Sequence, residues 1–329
     1  MIFYKYMTFR EDFFKNFMIR ATPANELNDP FELKFSKEQV RQYQEKREIF
    51  EDDYDIGETI GVIQSDYEDL GIISLSENYS NPVMWSHYAG EHTGVVVQFE
   101  VSEHKSFFVN EFGSDTFGDV YLIPEKVRYN RELPQMSIID ELSDDELEDI
   151  KDNRMFFYKI FNKIILLNKS IDWMYEQELR IIVNLKDADR ISFNLKIEDE
   201  LIEDELILDH IKKQCDRDSQ IEFRCENDVQ NKNLKKISIT YPENFENKYD
   251  DVGDESIKQE IYRLTRHLRP IHLFRINQDC IKAIFLGCKF DEGENLKKIK
   301  LPKNTKIYRM TMDDNTYLLM PKMFDLNKE

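Results

Sequence analysis

The sequence predicts an α+β fold with a mixed, mainly antiparallel sheet at its core. Short segments with the composition of strands recur along the 329-residue chain. Helical stretches separate only some of them, without the regular alternation of strand and helix that builds a doubly wound parallel sheet. Hydrophobic residues make up 41% of the chain and aromatic residues 12%, which is enough core-forming material for a folded protein.

Strands are predicted wherever short apolar, β-branched or aromatic runs are bounded by polar or turn residues. In chain order they are residues 2–6, 72–75, 93–100, 127–129, 179–185, 271–275, 281–286 and 307–310. The third has the clearest strand composition, because it contains three consecutive valines. Gly287 predicts a turn directly after the seventh.

Four segments are predicted to be helical from residue spacing or from capping signals. In chain order they are residues 8–17, 37–70, 84–89 and 140–167. Thr8 and Glu11, three residues apart, predict a capping box at the start of the first helix. Acidic residues at 140–152 precede an apolar run in the last one, an order that the helix dipole favours. Between the first two helices, residues 28–31 (Asn-Asp-Pro-Phe) predict a fixed turn.

A charged segment interrupts the predicted core. Between about residues 187 and 268 nearly every other residue is charged, and apolar clusters are confined to residues 201–211 and 237–241. We therefore predict that residues 1–186 and 269–329 form the core, and that residues 187–268 form an insertion or subdomain. Such an insertion offers a surface for a protein partner.

The composition also disfavours several classes of protein. No stretch reaches the roughly 18–20 consecutive apolar residues of a membrane-spanning helix, and the charged residues within 1–17 do not fit a signal peptide. The four cysteines lack the close pairing of a metal site and the density of a disulfide scaffold. These observations predict a cytoplasmic protein without a membrane partner.

The charge balance bears on nucleic-acid binding. With 65 acidic and 45 basic residues the formal net charge is −20, so the average field repels phosphate backbones. Bulk nucleic-acid binding is therefore disfavoured, although a local basic patch is compatible with this balance. Residues that could build such a patch are Lys235, Lys236, Arg263, Arg266 and Arg269.

The first candidate site segment is residues 74–92, which begins in a predicted strand and ends beyond it. The two-residue strand period places Ser74 and Ser76 on one face, so both hydroxyls can point at one ligand. Trp85 and Tyr88, three residues apart on a helical turn, could offer a stacking surface next to His87. The alternative is structural: Trp85 and Tyr88 in the core, Ser76 as an N-cap and His87 as a hydrogen-bonded structural residue.

The second candidate segment is residues 173–180. Alternation along a strand places Glu176, Glu178 and Arg180 on one face, where Arg180 can pair with one carboxylate and lower its pKa. A carboxylate held in this way suits the stabilisation of a cationic sugar transition state. The alternative is an ion pair on an edge strand, which contributes little stability when exposed.

Several common catalytic motifs do not occur in the sequence. It contains no Gly-x-Ser-x-Gly nucleophile elbow, no Gly-x-Gly-x-x-Gly loop, no phosphate loop ending in Gly-Lys-Ser/Thr and no His-Glu-x-x-His zinc motif. No metal ligands are predicted.

Five motifs together resemble a bacterial domain family of unknown function. They are Tyr4-Lys5-Tyr6, residues 28–31, Ser74-Leu75-Ser76-Glu77-Asn78 with Met84-Trp85-Ser86-His87-Tyr88-Ala89, Trp173-x-Tyr175-Glu176-x-Glu178-x-Arg180 and Ile284-Phe285-Leu286-Gly287. Members of that family are often encoded near mobile elements or phage-defence genes, so the resemblance implies a toxin or defence effector.

The order of the motifs is also similar to that of ADP-ribosyltransferases. That similarity implies an ADP-ribosyltransferase-like sheet in which Lys5 or Tyr6, beside Tyr4, binds NAD. Ser74 and Ser76 would line the nicotinamide site, and Glu178 would be the catalytic carboxylate. The chain departs from that pattern at the first position, which is Tyr-Lys-Tyr rather than Arg or His-Gly, and at the second, which is Ser-Leu-Ser rather than Ser-Thr-Ser.

Three functional hypotheses follow. In the first, the protein transfers or hydrolyses the ADP-ribosyl group of NAD. Glu178 would then stabilise ribosyl charge, Glu176 would orient the acceptor, Arg180 would hold the carboxylates, and Trp85 or Tyr88 would stack on nicotinamide. In the second, it is a metal-dependent nuclease with His87 as general base and the acidic pair Glu176 and Glu178 binding a metal. In the third, it is a non-catalytic module that senses a small nucleotide or binds a partner.

Overall fold

The computed structural model describes most of the chain. The described residues are 1–45, 56–102, 106–110, 123–134, 154–196, 202–227, 234–243, 245, 256–291 and 293–324. The predicted α+β class is confirmed, because helices pack around an open, mainly antiparallel sheet. The described helices include none long and apolar enough to cross a membrane.

Fifteen strands are present in the described residues. They are β1 (Ile2–Met7), β2 (Met18–Pro23), β3 (Leu70–Ser76), β4 (Val95–Glu100), β5 (Glu125–Lys126), β6 (Arg128–Asn130), β7 (Asn168–Ser170), β8 (Glu178–Asn184), β9 (Arg190–Lys196), β10 (Glu222–Asn227), β11 (Leu234–Thr240), β12 (Ile271–Arg275), β13 (Ile281–Leu286), β14 (Lys306–Met312) and β15 (Leu319–Met323). Each of the eight predicted strand segments overlaps one of them.

Thirteen of these strands form one sheet in the order β10-β11-β9-β12-β2-β3-β1-β4-β13-β14-β15, with β8 beside β3 and β5 beside β8. Neighbouring strands are antiparallel except β13 and β14, which are parallel. The remaining two, β6 and β7, form a separate parallel pair. A mainly antiparallel sheet was predicted, whereas the resemblance to the ADP-ribosyltransferase sheet stays a prediction.

The middle of the sheet contains a gap that positions the site. Strand β3 pairs along its length with β8, but its other edge is shared by β2 and β1. Strand β2 pairs with β3 at Ile72, and β1 pairs with it at Ser76. Between these two points β3 faces an opening, and Ser74 lies in it.

The described helices are α1 (Glu11–Asn16), α2 (Lys37–Glu45), α3 (Ile56–Asp69), α4 (Pro82–Tyr88), α5 (Arg154–Leu166), α6 (Ile202–Cys215), α7 (Ile257–Thr265) and α8 (Gly293–Leu296). Helices α3 and α5 cover one face of β3 and β8 through buried side chains such as Ile63, Phe161 and Ile182. Helix α4 covers part of β1, β4 and β13 through Met84 and Trp85.

The predicted capping box at Thr8 is wrong. Helix α1 begins at Glu11, and its N-cap is Arg10 in an extended conformation, without a side-chain hydrogen bond. Glu11 is therefore the first helical residue instead of the third, and Glu11 and Asp12 interact with the helix dipole directly. The acidic part of the predicted helix at 140–167 falls mainly in residues 135–153, outside the described residues, whereas its apolar part forms α5.

The charged segment at 187–268 continues the main sheet. Strand β9 pairs with β12, which in turn pairs with β2. Buried side chains of the segment, including Ile211, Ile237 and Ile261, belong to the same hydrophobic cluster as Phe3 and Val97 of the central strands. The division of the chain into a core and an insertion stays a prediction.

Gly287 follows β13, as predicted, and the chain packs closely against the turn after α4. Its N–H donates to the carbonyl of Gly94 at 3.0 Å, and a Cβ at this position would lie 2.0 Å from the carbonyl oxygen of His92. We expect Gly287→Ala to lower the free energy of unfolding by on the order of 2 kcal/mol, because backbone must shift on one side or the other.

The matched control is Gly61→Ala in α3, where a Cβ would meet nothing within 4 Å. At that exposed helical position alanine should stabilise the protein by roughly 0.5–1 kcal/mol. Urea denaturation of both variants measures the two effects. Equal effects of the two substitutions would show that the contact at Gly287 is not tight.

Candidate active site

A cavity of about 190 Å³ occupies the gap between β1, β2 and β3. Eleven residues were predicted to form a site, and nine of them line this cavity. They are Tyr4, Lys5, Tyr6, Ser74, Ser76, Tyr88, Glu176, Glu178 and Arg180. The cavity thus brings together side chains from β1, β3, α4 and β8.

Glu178 and Arg180 form a deeply buried ion pair in the site. Nε of Arg180 donates to Oε1 of Glu178 at 2.9 Å, and a terminal guanidinium nitrogen donates to Oε2 at 3.1 Å. The Arg180 side chain is 1% exposed and that of Glu178 is 3% exposed. Arg180 also donates to the carbonyl of Leu166 at 2.6 Å and to Glu32 at 2.7 Å. The alternative of an exposed edge-strand ion pair is therefore wrong, because β8 lies between β3 and β5 at this point.

Lys169 joins the carboxylates into one cluster. Its Nζ lies 2.7 Å from Glu176, 3.2 Å from Glu178 and 3.3 Å from Glu32. The ammonium also lies over the ring of Trp173, 4.8 Å from the ring centroid, where the π-electrons attract a cation. Two fixed cations thus face three carboxylates.

The electrostatic environment shifts the pKa values of the two predicted catalytic carboxylates in opposite directions. Burial alone would raise the pKa of Glu178, but Arg180 and Lys169 outweigh it and hold that pKa at about 2. A hydrogen bond from Ser74 acts in the same direction. For Glu176 burial prevails over Lys169, so its pKa is raised above the usual value. Glu178 is consequently ionised at neutral pH, whereas Glu176 is closer to exchanging a proton.

Tyr88 is the polar partner of Glu176. Its hydroxyl donates a short hydrogen bond to Oε1 of Glu176. Burial raises the pKa of Tyr88, and the hydrogen bond to Glu176 adds to that shift. The phenol therefore keeps its proton and acts as a donor at neutral pH.

Glu176 reaches the site by a different local structure from the predicted one. It ends a 3-10 helix at residues 171–176, and Gln177 adopts a left-handed conformation (φ 45°) before β8 begins at Glu178. Strand alternation therefore does not explain its position. The hydroxyl of Ser76 donates to the Glu176 carbonyl at 2.7 Å and fixes this turn against β3.

Two predicted site residues lie outside the cavity. Trp85 is fully buried under α4, where its indole N–H donates to the carbonyl of Tyr79 at 2.8 Å and its ring packs edge-to-face on Tyr6. His87 is exposed and lines a neighbouring groove. The N-cap of α4 is Asn81, which accepts a hydrogen bond from the N–H of Val83, so the alternative role of Ser76 as an N-cap is wrong.

Glu32 and Lys169 are site residues that sequence reasoning missed. Glu32 directly follows the predicted turn at residues 28–31, in which Asp29 accepts a hydrogen bond from the N–H of Phe31 at 2.9 Å. Lys169 comes shortly after the apolar run of α5. The sequence contains a signal at both positions. Glu32 is a charged residue next to a fixed turn, and Lys169 is a charged residue next to an apolar helix.

Lys5 lies at the open side of the carboxylate cluster. Its Nζ donates to the carbonyl of Ser74 at 2.7 Å, inside the gap left by β1 and β2. Burial, together with Arg10 and Arg20, lowers the pKa of Lys5 to about 8, although Glu178 partly opposes the shift. The amine is thus the group of this pocket that loses its proton most readily above neutral pH.

The lowered pKa of Lys5 predicts a pH-dependent stability. Because the folded state holds this proton less tightly than the unfolded chain, charging the amine opposes folding below pH 8, and the penalty is relieved as the pH rises from about 8 to 10.5. We expect Lys5→Met to raise the free energy of unfolding at pH 7 by about 2 kcal/mol. This gain should shrink above pH 8.

Urea denaturation at pH 7, 8.5 and 10 measures the difference between the variant and the wild type. As a control, Lys37→Met at an exposed position should change stability by less than about 0.5 kcal/mol. A Lys5→Met variant that is less stable than the wild type at pH 7 would contradict the assignment.

A larger groove of about 710 Å³ adjoins the cavity. The two share Lys5, Tyr6, Thr22, Asn28 and Tyr88 in their walls. In the described part of the chain, no group of three or more His, Cys, Asp or Glu side chains is arranged to hold a metal ion. All three carboxylates of the cavity contact Lys169, and Glu32 and Glu178 also contact Arg180.

Comparison with known proteins relates part of the chain to a protein family. No curated protein and no solved structure matches the chain. The family model described as "Protein of unknown function (DUF2971)" matches residues 84–181, from α4 to the middle of β8. That range includes Tyr88, Lys169, Glu176, Glu178 and Arg180 of the cavity, so the match covers part of the candidate site.

Proposed function

We propose that the protein binds the nicotinamide-ribose end of NAD in the cavity and breaks the bond between nicotinamide and ribose. The observation that carries this proposal is the pair Glu178 and Glu176, whose environments shift their pKa values in opposite directions within one small cavity. Such a pair is typical of sites in which one carboxylate stays ionised and the other exchanges a proton.

The chemistry follows from these two states. The C–N bond breaks, its electron pair moves to the nicotinamide nitrogen, and the ribosyl group becomes an oxocarbenium ion. The carboxylate of Glu178 stabilises that positive charge, since a fixed charge in a buried site interacts strongly with it. An acceptor hydroxyl or water adds to the ribose carbon, and Glu176 accepts the proton that this group releases.

The hydroxyls and cations of the cavity support this reading. Arg180 and Lys169 fix both oxygens of Glu178, so the carboxylate does not have to reorganise during the reaction. Ser74 and Tyr88 line the same cavity and offer hydroxyls of the kind that bind sugar and amide groups. A toxin or phage-defence effector is a setting in which such NAD consumption fits.

The test is incubation of the full chain with NAD, followed by chromatographic measurement of free nicotinamide and ADP-ribose. Release of nicotinamide supports the proposal, and simultaneous release of ADP-ribose distinguishes hydrolysis from transfer to a protein or nucleic-acid acceptor. Absence of nicotinamide release with every acceptor class supplied, from protein whose folding is verified by circular dichroism, would contradict it. Release that persists in a chelator would separate this chemistry from the metal-dependent nuclease alternative.

A further inference from the structure

The groove beside the cavity is a basic surface in an acidic protein. It is lined by six cationic side chains but only two acidic ones, Asp12 and Glu226, whereas the whole chain carries 65 acidic and 45 basic residues. The cations are Lys5, Arg10, Arg20, Arg190, Arg224 and Lys236. A local excess of this kind concentrates anions despite the net charge of the chain.

Strand alternation explains how the groove forms. On β9 the side chains of Ile191 and Phe193 are buried, while Arg190 and Ser192 face the groove. The same alternation recurs on β11, where Ile237 is buried and its neighbours face outward. One face of this half of the sheet is consequently apolar and packed, and the other presents cations and hydroxyls.

The register of the strands brings these groups into rows. Arg190 lies opposite Thr240 on β11, and its Nε donates to the threonine hydroxyl at 2.9 Å. In the next row Ser192 lies opposite Ser238, which lies opposite Arg224. Guanidinium groups flanked by hydroxyls are the donors that proteins use to bind phosphate.

The acidic neighbours of these cations are mostly exposed. Arg190 lies 3.3 Å from Asp12, whose side chain is 63% exposed, and Arg224 is paired with the exposed Glu222 on its own strand. Exposed pairs of this kind are weak and can be displaced by a more highly charged anion. Arg20 likewise lies 3.7 Å from the partly exposed Glu26, and its Nε, which is shielded from solvent, has no hydrogen-bond partner in the described part of the chain.

We propose that this groove binds the phosphate groups of a ligand that carries more than one phosphate. From β2 to β10 it crosses four inter-strand spacings, or about 19 Å, which is too long for a single phosphate. Because the groove opens into the cavity through Lys5 and Tyr88, the ligand continues from one to the other. The claim that one ligand spans the groove and the cavity rests on the proposed function, in which the pyrophosphate of NAD follows the ribose. The claim that the groove binds phosphate groups does not depend on it.

The test uses the full chain and isothermal titration calorimetry with pyrophosphate, orthophosphate, ADP-ribose and a short single-stranded oligonucleotide. Pyrophosphate should bind more tightly than orthophosphate, and its affinity should fall as salt is added. Arg224→Gln/Lys236→Gln, at exposed positions, should weaken pyrophosphate binding at least about tenfold, since charge-assisted hydrogen bonds are lost.

The matched control is Arg41→Gln/Arg266→Gln, which removes the same charge from exposed positions outside the groove and should leave binding unchanged. ADP-ribose or the oligonucleotide, by displacing pyrophosphate, identifies the source of the phosphates. Absence of pyrophosphate binding, or equal weakening in both double variants, overturns the inference.

The outcomes also separate the two proposals. Pyrophosphate binding that depends on Arg224 and Lys236, without nicotinamide release from NAD, leaves the groove in place and overturns the proposed function. Nicotinamide release that is insensitive to the groove variants, without pyrophosphate binding, supports the proposed function and overturns the phosphate-binding groove.

Discussion

Arg180→Met should lower the free energy of unfolding by about 3–5 kcal/mol, because it removes one partner from a buried charge cluster. Glu178 and Glu32 would both lose their guanidinium donor, and Lys169 would remain as their shared fixed cation. The buried carbonyl of Leu166 would lose a donor as well. Urea denaturation at neutral pH measures the change.

Two further variants make this prediction specific. Arg180→Met/Glu178→Gln removes one charge of each sign, so we expect it to recover at least about 1 kcal/mol relative to the single variant. Arg41→Met, which breaks an exposed pair with Glu38, should cost less than about 1 kcal/mol. If Arg180→Met lowers the free energy of unfolding as little as Arg41→Met does, the buried cluster of Arg180, Lys169 and the three glutamates contributes no net stability.

Glu178→Gln should lower the rate of nicotinamide release by about 10²–10³-fold, if the proposed function is correct. The amide has nearly the same shape as the carboxylate but carries no charge, so the cationic transition state loses its stabilisation. Substrate binding depends less on that charge, and kcat should therefore fall more than KM rises.

The controls separate catalysis from folding. Glu77→Gln makes the same change one residue beyond β3, where Glu77 forms an exposed pair with Lys126, and should leave the rate unchanged. Glu176→Gln should instead flatten the acidic limb of the pH–rate profile, because a general base loses activity when it is protonated. A Glu178→Gln enzyme that is folded and fully active would exclude the assigned role.

Local periodicity was sufficient for part of the site. The two-residue period predicted that Ser74 shares a face with Ser76 on β3 and that Glu178 shares one with Arg180 on β8, because alternation is a property of a single strand. All four residues line the cavity. The long apolar runs of the central strands likewise predicted that these strands lie at the core of the sheet. In both cases the signal lies within a few consecutive residues.

The rest of the site depends on tertiary structure. Glu32 contacts Arg180 across 148 positions of sequence, and no local pattern predicts such a pairing. Glu176 enters through a left-handed Gln177 instead of a strand. The sequence did not distinguish the roles of Trp85 and Tyr88 in α4, because either aromatic ring could face a ligand or the core. In the structure Tyr88 lines the cavity, whereas Trp85 is buried in the core.

The shared edge of β3 has a consequence for fragments of this protein. The DUF2971 match at residues 84–181 contributes one wall of the cavity, whereas Lys5, Glu32 and Ser74 come from the chain before it. A polypeptide limited to the matched residues would carry Arg180 and Lys169 without Glu32, and would lack β3, the longer of the two strands against which β8 pairs. The side chains of the cavity therefore come from the whole stretch between the first strand and β8, so a fragment limited to the matched residues should not bind a ligand of the cavity.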